Sequence, residues 1–189
     1  MPTSDDHVAN DPNRPREVLG SLHLDAGSGP GNGHQGTQEI TIARARRSDL
    51  EEIVALLTDD VLGKDRESDA ADARYLEAFT AIDGDPNQVL LVALADERAI
   101  AATAQITFIP GLSRGGALRG QIEAVRVAAS HRGQGLGRAF FEWMIDYCTQ
   151  RGAAMVQLTT DKRRQDAIRF YERLGFVASH EGMKLALPH

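Results

Sequence analysis

Three glycines at alternate positions, in Arg132-Gly133-Gln134-Gly135-Leu136-Gly137, stand between strand-forming residues and a strongly amphipathic stretch. Residues 119–128 read as the strand. After the glycines, Leu136, Phe140, Phe141, Met144, Ile145 and Cys148 fall on one helical stripe, which Gly152 closes. Strand, glycine turn and helix in that order make an anion site. Glycines let the backbone turn tightly and aim consecutive N–H groups at a phosphate, and the helix dipole adds positive potential. Arg132 and Arg138 flank the turn and offer charge-assisted contacts. The spacing excludes two common nucleotide sites. A dinucleotide fingerprint needs G-x-G-x-x-G, whereas these glycines fall at 133, 135 and 137; a Walker loop needs Gly-Lys-Ser/Thr after four intervening residues, and none follows.

Around this turn the chain alternates short strands and helices. Residues 1–38 carry no aromatic side chain and include the run Gly27-Ser28-Gly29-Pro30-Gly31-Asn32-Gly33, so they read as a disordered N-terminal extension. One folded domain is expected over 39–189. Residues 40–44 alternate as a half-buried strand should. Ser48 and Glu51 make a capping box for a helix with Leu50, Ile53, Val54 and Leu57 on one face. A second helix carries Tyr75, Leu76, Phe79 and Ile82 and stops at Asp83-Gly84-Asp85-Pro86. Strands follow at 89–95 and 99–109 around a turn at 96–98. A glycine-rich loop over 110–116 precedes the strand at 119–128. Beyond the main helix come a short strand at 155–160, a helix over 165–174 ended by Gly175, and a final hairpin of 176–179 with 183–187. The pattern is mixed α/β rather than strictly alternating.

Two motifs in this order resemble the GNAT superfamily of N-acetyltransferases. The first is R/Q-x-x-G-x-G/A, met by Arg132, Gly135 and Gly137 after the strand Ile122-Glu123-Ala124-Val125-Arg126-Val127. The second is a helix ending in F-Y-E-x-x-G-F, met by Phe170-Tyr171-Glu172-Arg173-Leu174-Gly175-Phe176. The resemblance covers residues 40–187. It implies a mixed, largely antiparallel twisted sheet of six to seven strands, splayed between the fourth and fifth and flanked by about four helices. It also implies acetyl-coenzyme A as co-substrate. Pantetheine would lie along Val125, Arg126 and Val127, and the pyrophosphate on the N–H groups of Arg132, Gly133, Gln134, Gly135, Leu136, Gly137 and Arg138. Many members place an asparagine where this chain has Arg164, within Lys162-Arg163-Arg164. These cations reach a cofactor phosphate or an anionic substrate, or simply start a solvated helix.

Acetyl transfer needs a neutral amine, and an alkyl amine of pKa ~10.4 is neutral in only about one molecule per thousand at pH 7. Glu123 is the candidate base, since alternation places it on the strand face of Val125 and Val127. The residue also suits water or substrate positioning, or a structural ion pair. The resemblance makes Tyr171 the acid for the departing thiol, while helical spacing with Phe170 and Leu174 also fits packing. The backbone N–H of Val125 is the expected carbonyl-polarising group. Cys148 sits on the apolar stripe and reads as core, and His131 as a turn residue.

Composition narrows the partners. Net charge is −6, with four of those units in the first 39 residues, so no strong field recruits nucleic acid or an anionic membrane. The single cysteine, the missing signal core and the lack of a long apolar run point to the cytoplasm. No metal is called for: His7, His23 and His34 are irregularly spaced. Residues 158–162, 166–167 and 170–171 are similar to the small-molecule branch that acts on aminoalkylphosphonates and amino sugar phosphates, in which homodimers are common. Arg114 and Arg119 would then meet an acidic group on the acceptor amine. A protein or peptide acetyltransferase, and a non-catalytic acyl-CoA-binding module, stand as alternatives.

Overall fold

Residues 15–25, 37–59, 72–96 and 99–187 are described by the structure, a computed structural model of the 189-residue chain. Among the described residues six strands form one sheet in sequence order: β1 (Val18–Asp25), β2 (Thr37–Arg44), β3 (Gln88–Leu94), β4 (Ile100–Pro110), β5 (Leu118–Val127) and β6 (Met155–Leu158). Neighbours are antiparallel through β5, and β6 runs parallel to β5. That last step needs a crossover, which the main helix supplies. The helices are α1 (Leu50–Thr58), α2 (Ala73–Gly84), the single turn α3 (Ser113–Gly116), α4 (Leu136–Gln150) and α5 (Gln165–Arg173).

Period-2 alternation sends the two sets of strand side chains into different cores. On one face Ile42, Leu91, Ile106 and Ile122 pack with Leu136, Phe140 and Met144 of α4, and α5 adds Phe170 and Tyr171, with Leu174 just past its end. On the other, Ala43, Val92 and Ile100 pack with Ile53 and Leu56 of α1 and Phe79 of α2. Gly120 lets β5 approach α4 closely, since a Cβ there would lie 2.7 Å from Cys148 Sγ. Burial pushes the Cys148 thiol up to about 11, which leaves it an inert core group.

Two expectations need correction. The segment read as disordered contributes β1, paired along its length with β2, while residues 1–14 and 26–36 lie outside the described residues. Leu22 and Leu24 are 8% and 7% exposed, and Gly20 lies against the Trp143 indole. A short apolar alternation ahead of the glycine-rich run at 27–33 hid this strand. Arg16, just ahead of it, forms a bidentate pair with buried Asp49 at 2.7 and 2.8 Å. Asp49 also accepts from the Arg46 N–H at 2.7 Å, so it starts the first helical segment in place of the expected Ser48–Glu51 box. Arg16→Ala should therefore lower the thermal midpoint, by about 1–3 kcal/mol in stability, because Asp49 loses its cation but keeps one backbone donor. Thermal denaturation reads this out, and an unchanged midpoint would show the bridge to be absent in solution.

The second correction is at the C-terminal end. Residues 176–187 form no strand, and Val177, Met183 and Leu185 are 81%, 97% and 86% exposed. Alternation there marks an apolar stripe but does not name a partner, and among the described residues the sheet ends at β6.

Candidate functional site

The site is opened by one irregularity in β5. Glu123 pairs with Gln105 and Arg126 with Thr103, so Ala124 and Val125 together oppose Ala104. The extra residue is a β-bulge, and Ala124 takes it up with φ +54°, a left-handed conformation costly for a residue with a Cβ. The bulge resets the alternation, because directly paired residues share a face. Ile122 with Ile106 and Val127 with Ala102 face the α4 core. Glu123 with Gln105 and Arg126 with Thr103 face the α1–α2 side. Glu123 therefore does not share a face with Val125 and Val127, as uninterrupted alternation had placed it.

The same bulge turns β5 away from β6. The two strands pair only at Arg119–Ile122 with Met155–Leu158, so 123–127 lack a partner on that side and a gap opens beyond Ile122 and Leu158. This is the splay that the resemblance implied. Glu123, exposed, stands at its mouth on the α1–α2 side, and Val125 and Val127 are half-buried along it. Across the gap, Thr160 has a buried hydroxyl oxygen with no hydrogen-bond partner among the described residues. Thr160 stood in the sequence only as part of the 158–162 motif, with no role for its hydroxyl.

One end of the gap is closed by the glycine turn. Gly133 and Gly135 have φ +76° and +84°, and a Cβ at either would meet nothing within 4 Å, so the turn is an open cradle. The first bond of α4 runs from the Ala139 N–H to the Gly135 carbonyl at 3.1 Å. Residues 133–138 therefore present backbone N–H groups with no acceptor among the described residues. The flanking cations are engaged elsewhere. Arg132 donates to Asp59 Oδ2 at 2.7 Å and to the Val127 carbonyl at 2.9 Å, and Arg138 pairs with Glu142 at 2.8 Å. Gln134 Nε2 donates to the Ser130 carbonyl at 2.7 Å, which braces the turn, and His131 rests on Ser130 Oγ at 2.9 Å. The anion-binding capacity thus lies in the main chain more than in the arginines.

Tyr171 is set by α5, its ring edge-on to Phe141 at 5.4 Å, Phe170 at 5.5 Å and Phe176 at 6.1 Å. Burial among these rings raises its pKa above the usual phenol value, opposed by the charges of Arg164 and Arg126. Arg164 is the residue just before α5, and Arg126 lies on β5. The Tyr171 phenol is therefore within electrostatic reach of residues on both sides of the gap. Arg163 is held by Asp161, and Lys162 pairs with Glu181. Of the cations beside the 110–116 loop, Arg114 is exposed, while Arg119 is half-buried and its side chain has no hydrogen-bond or ion-pair partner among the described residues. Among the described residues no group of His, Cys, Asp or Glu suits a metal ion, and no helix is long and apolar enough to cross a membrane.

Known proteins resemble this chain in sequence and fold. The sequence profile of the acetyltransferase (GNAT) family matches residues 50–176. Glucosamine 6-phosphate N-acetyltransferase of Trypanosoma brucei brucei is 35% identical over 88 residues, 47% of this chain and 58% of that protein. N-alpha-acetyltransferase 30 of Schizosaccharomyces pombe is 35% identical over 85 residues, 45% of this chain and 55% of that protein. The chain thus spans little more than half the length of these curated relatives. The crystal structure of a transcriptional regulator from Bacillus halodurans C-125 superposes with a TM-score of 0.75 at 45% identity, covering 78% of this chain and 99% of that one.

Proposed function

The chain belongs to the acetyltransferase (GNAT) family, and from that premise we propose that it moves an acetyl group from acetyl-coenzyme A to a primary amine of a small molecule by direct attack in a ternary complex. The observation that supports this most is the open turn at 133–138, whose unpaired amides at the start of α4 fit a diphosphate. Val125, Arg126 and Val127, left without a β6 partner, suit the pantetheine arm, as does the orphaned Thr160 hydroxyl. Arg164 stands where it can add a cation to the same ligand. Bound there, acetyl-coenzyme A supplies the acyl group as an activated thioester.

The chain's own residues then manage two protons. Glu123, at the mouth of the gap on the α1–α2 side, takes the excess proton from the acceptor ammonium, directly or through water. Tyr171 holds its proton towards the other side, where the thiol departs. Half-buried Arg119 favours an acceptor with an acidic group, which suits a small amine. A protein acceptor is the second reading, since one relative is an N-alpha-acetyltransferase. A cytoplasmic location and a homodimer go with the first reading, and the lone buried Cys148 suits a reducing compartment.

The test is release of coenzyme A thiol with 2-aminoethylphosphonate, glucosamine 6-phosphate and a peptide bearing a free N-terminus, beside calorimetric binding of coenzyme A. Turnover with the small amines is expected. Turnover of the peptide alone selects the second reading, and binding without any turnover makes the protein a non-catalytic acyl-CoA module. Glu123→Gln should lower the rate at pH 7 by roughly 10²–10⁴-fold. The deficit should shrink as pH rises towards the amine pKa of ~10.4, because the solvent then supplies neutral amine. A wild-type rate for this variant at pH 7 would remove Glu123 from the chemistry.

A further inference from the structure

A chain of side-chain hydrogen bonds ends beside Glu123, and its direction is fixed at the far end. Asp85 caps the C-terminus of α2. Its Oδ1 accepts from the Asn87 N–H at 2.8 Å, which sets the carboxylate, and its Oδ2 accepts from Gln88 Nε2 at 3.3 Å. Gln88 opens β3 and passes the bond on, since its Oε1 accepts from Gln105 Nε2 of β4 at 2.7 Å. Gln105 in turn lies directly opposite Glu123 of β5, on the α1–α2 side of the sheet. The end of α2 is thus joined, through two amides, to the mouth of the gap.

A glutamine amide can be turned either way round, so the polarity of such a chain needs a cause. Asp85 supplies it. The Asn87 N–H first, and then the Gln88 amide, hold its carboxyl below the usual carboxylate range, so it stays ionised and can only accept. Gln88 must therefore give it Nε2 and turn Oε1 towards Gln105. Gln105 answers with Nε2 and keeps Oε1. That oxygen, on a half-buried residue, has no hydrogen-bond partner among the described residues, and neither has the Glu123 carboxylate. Each amide that donates towards the anion gains electron density on its own oxygen, so Gln105 Oε1 is a strengthened acceptor. A charged and a neutral acceptor side by side suit an ammonium group, whose three hydrogens are all donors.

We propose that Gln105 Oε1 accepts one hydrogen of the acceptor's ammonium and so turns another towards the Glu123 carboxylate, with Gln88 and Asp85 holding that oxygen in place. One N–H bond breaks and one O–H bond forms on Glu123; the electron pair left on nitrogen attacks the thioester, and the hydrogen on Gln105 stays with the nitrogen. Gln88 and Asp85 are positioning residues, since they act through Gln105. This role rests on the acetyl-transfer reading above and adds the residues that orient the reacting nitrogen, whatever the amine carries.

The experiment follows kcat/KM from pH 7 towards the amine pKa of ~10.4. The amine is whichever of 2-aminoethylphosphonate, glucosamine 6-phosphate and the peptide with a free N-terminus the wild type turns over fastest, and coenzyme A binding is measured beside it. Gln105→Leu should lower kcat/KM at pH 7 by roughly 10- to 100-fold, the worth of a hydrogen bond to a charged group. The deficit should shrink as pH rises, because an amine already neutral has no proton to deliver. Coenzyme A affinity should stay within about twofold. Asp85→Asn keeps an oxygen for the Asn87 N–H but can also donate to Gln88, so the chain can reverse and draw Gln105 Oε1 inward. It should lower kcat/KM by roughly 2- to 10-fold, and by nothing further when added to Gln105→Leu. If Gln105→Leu fails to fold, Gln88→Leu serves: it leaves Gln105 unanchored and should show the same shrinking deficit. A wild-type rate at pH 7, a deficit constant with pH, or additive losses in the double variant overturns this role and leaves acetyl transfer standing. Retained coenzyme A binding with no turnover of any of these amines overturns acetyl transfer, and the role of Gln105 with it.

Discussion

Gly135→Asp should abolish coenzyme A binding. Two separate penalties act at this residue. Its φ of +84° lies in the region that residues with a Cβ rarely enter, at a cost of about 1–3 kcal/mol. Its position as the cap of α4 also places a new carboxylate among N–H groups that have no other acceptor. Space is not the obstacle, because a Cβ there would meet nothing within 4 Å. The carboxylate would satisfy those amides itself and repel a diphosphate, so the anion loses both its donors and its favourable potential. Gly135→Asn separates the two effects: asparagine tolerates the left-handed conformation and brings no charge. Titration calorimetry should show no measurable binding for the aspartate variant and at most a modest loss for the asparagine one. Normal affinity with aspartate would mean that the diphosphate sits elsewhere, and the site assignment would fall.

Why the glycine turn was legible and Glu123's face was not comes down to range. The turn is local: alternate glycines before an apolar helical stripe fix its conformation within nine residues, and the structure has it with positive φ at 133 and 135. The core stripe of α4 was equally local, with Phe140, Phe141, Met144 and Cys148 all buried. The bulge at Ala124 is not local. Alanine carries no signal for a left-handed residue, and the shift exists only because β4 and β5 pair on both sides of it. Every statement about which face Glu123 shares hung on that single slip. β1 was missed for a related reason: its four-position alternation is too short to stand out until β2 and Trp143 cover it. The chain from Asp85 through Gln88 and Gln105 to Glu123 is scattered over a turn and three strands, and only the register gathers it.

Tyr171→Phe should lower turnover by roughly 10- to 1,000-fold while coenzyme A affinity stays within about twofold. The ring contacts with Phe141, Phe170 and Phe176 need only an aromatic ring, so phenylalanine keeps the packing and removes the hydroxyl alone. The size of the effect follows from matching acidities. A thiol near pKa 8.5 is a weaker base, once ionised, than a phenolate near 10, so full proton transfer from phenol to thiolate is uphill by about 2 kcal/mol in water. Burial of Tyr171 raises its pKa and makes the transfer harder, whereas Arg164 and Arg126 act in the opposite sense. The phenol therefore works as a held hydrogen-bond donor to the departing sulfur, and those two cations set how far the proton moves. The sign of the pH dependence is fixed by the same shift. With its pKa raised above that of a free phenol, Tyr171 keeps its proton through neutral and mildly alkaline pH, so it adds no falling limb there. Over that range the wild type and Tyr171→Phe should show parallel profiles, both rising as the acceptor amine loses its proton. A variant as fast as the wild type would reduce Tyr171 to packing, and a wild-type rate that falls between pH 7 and 9 would show a phenol far more acidic than its buried setting allows.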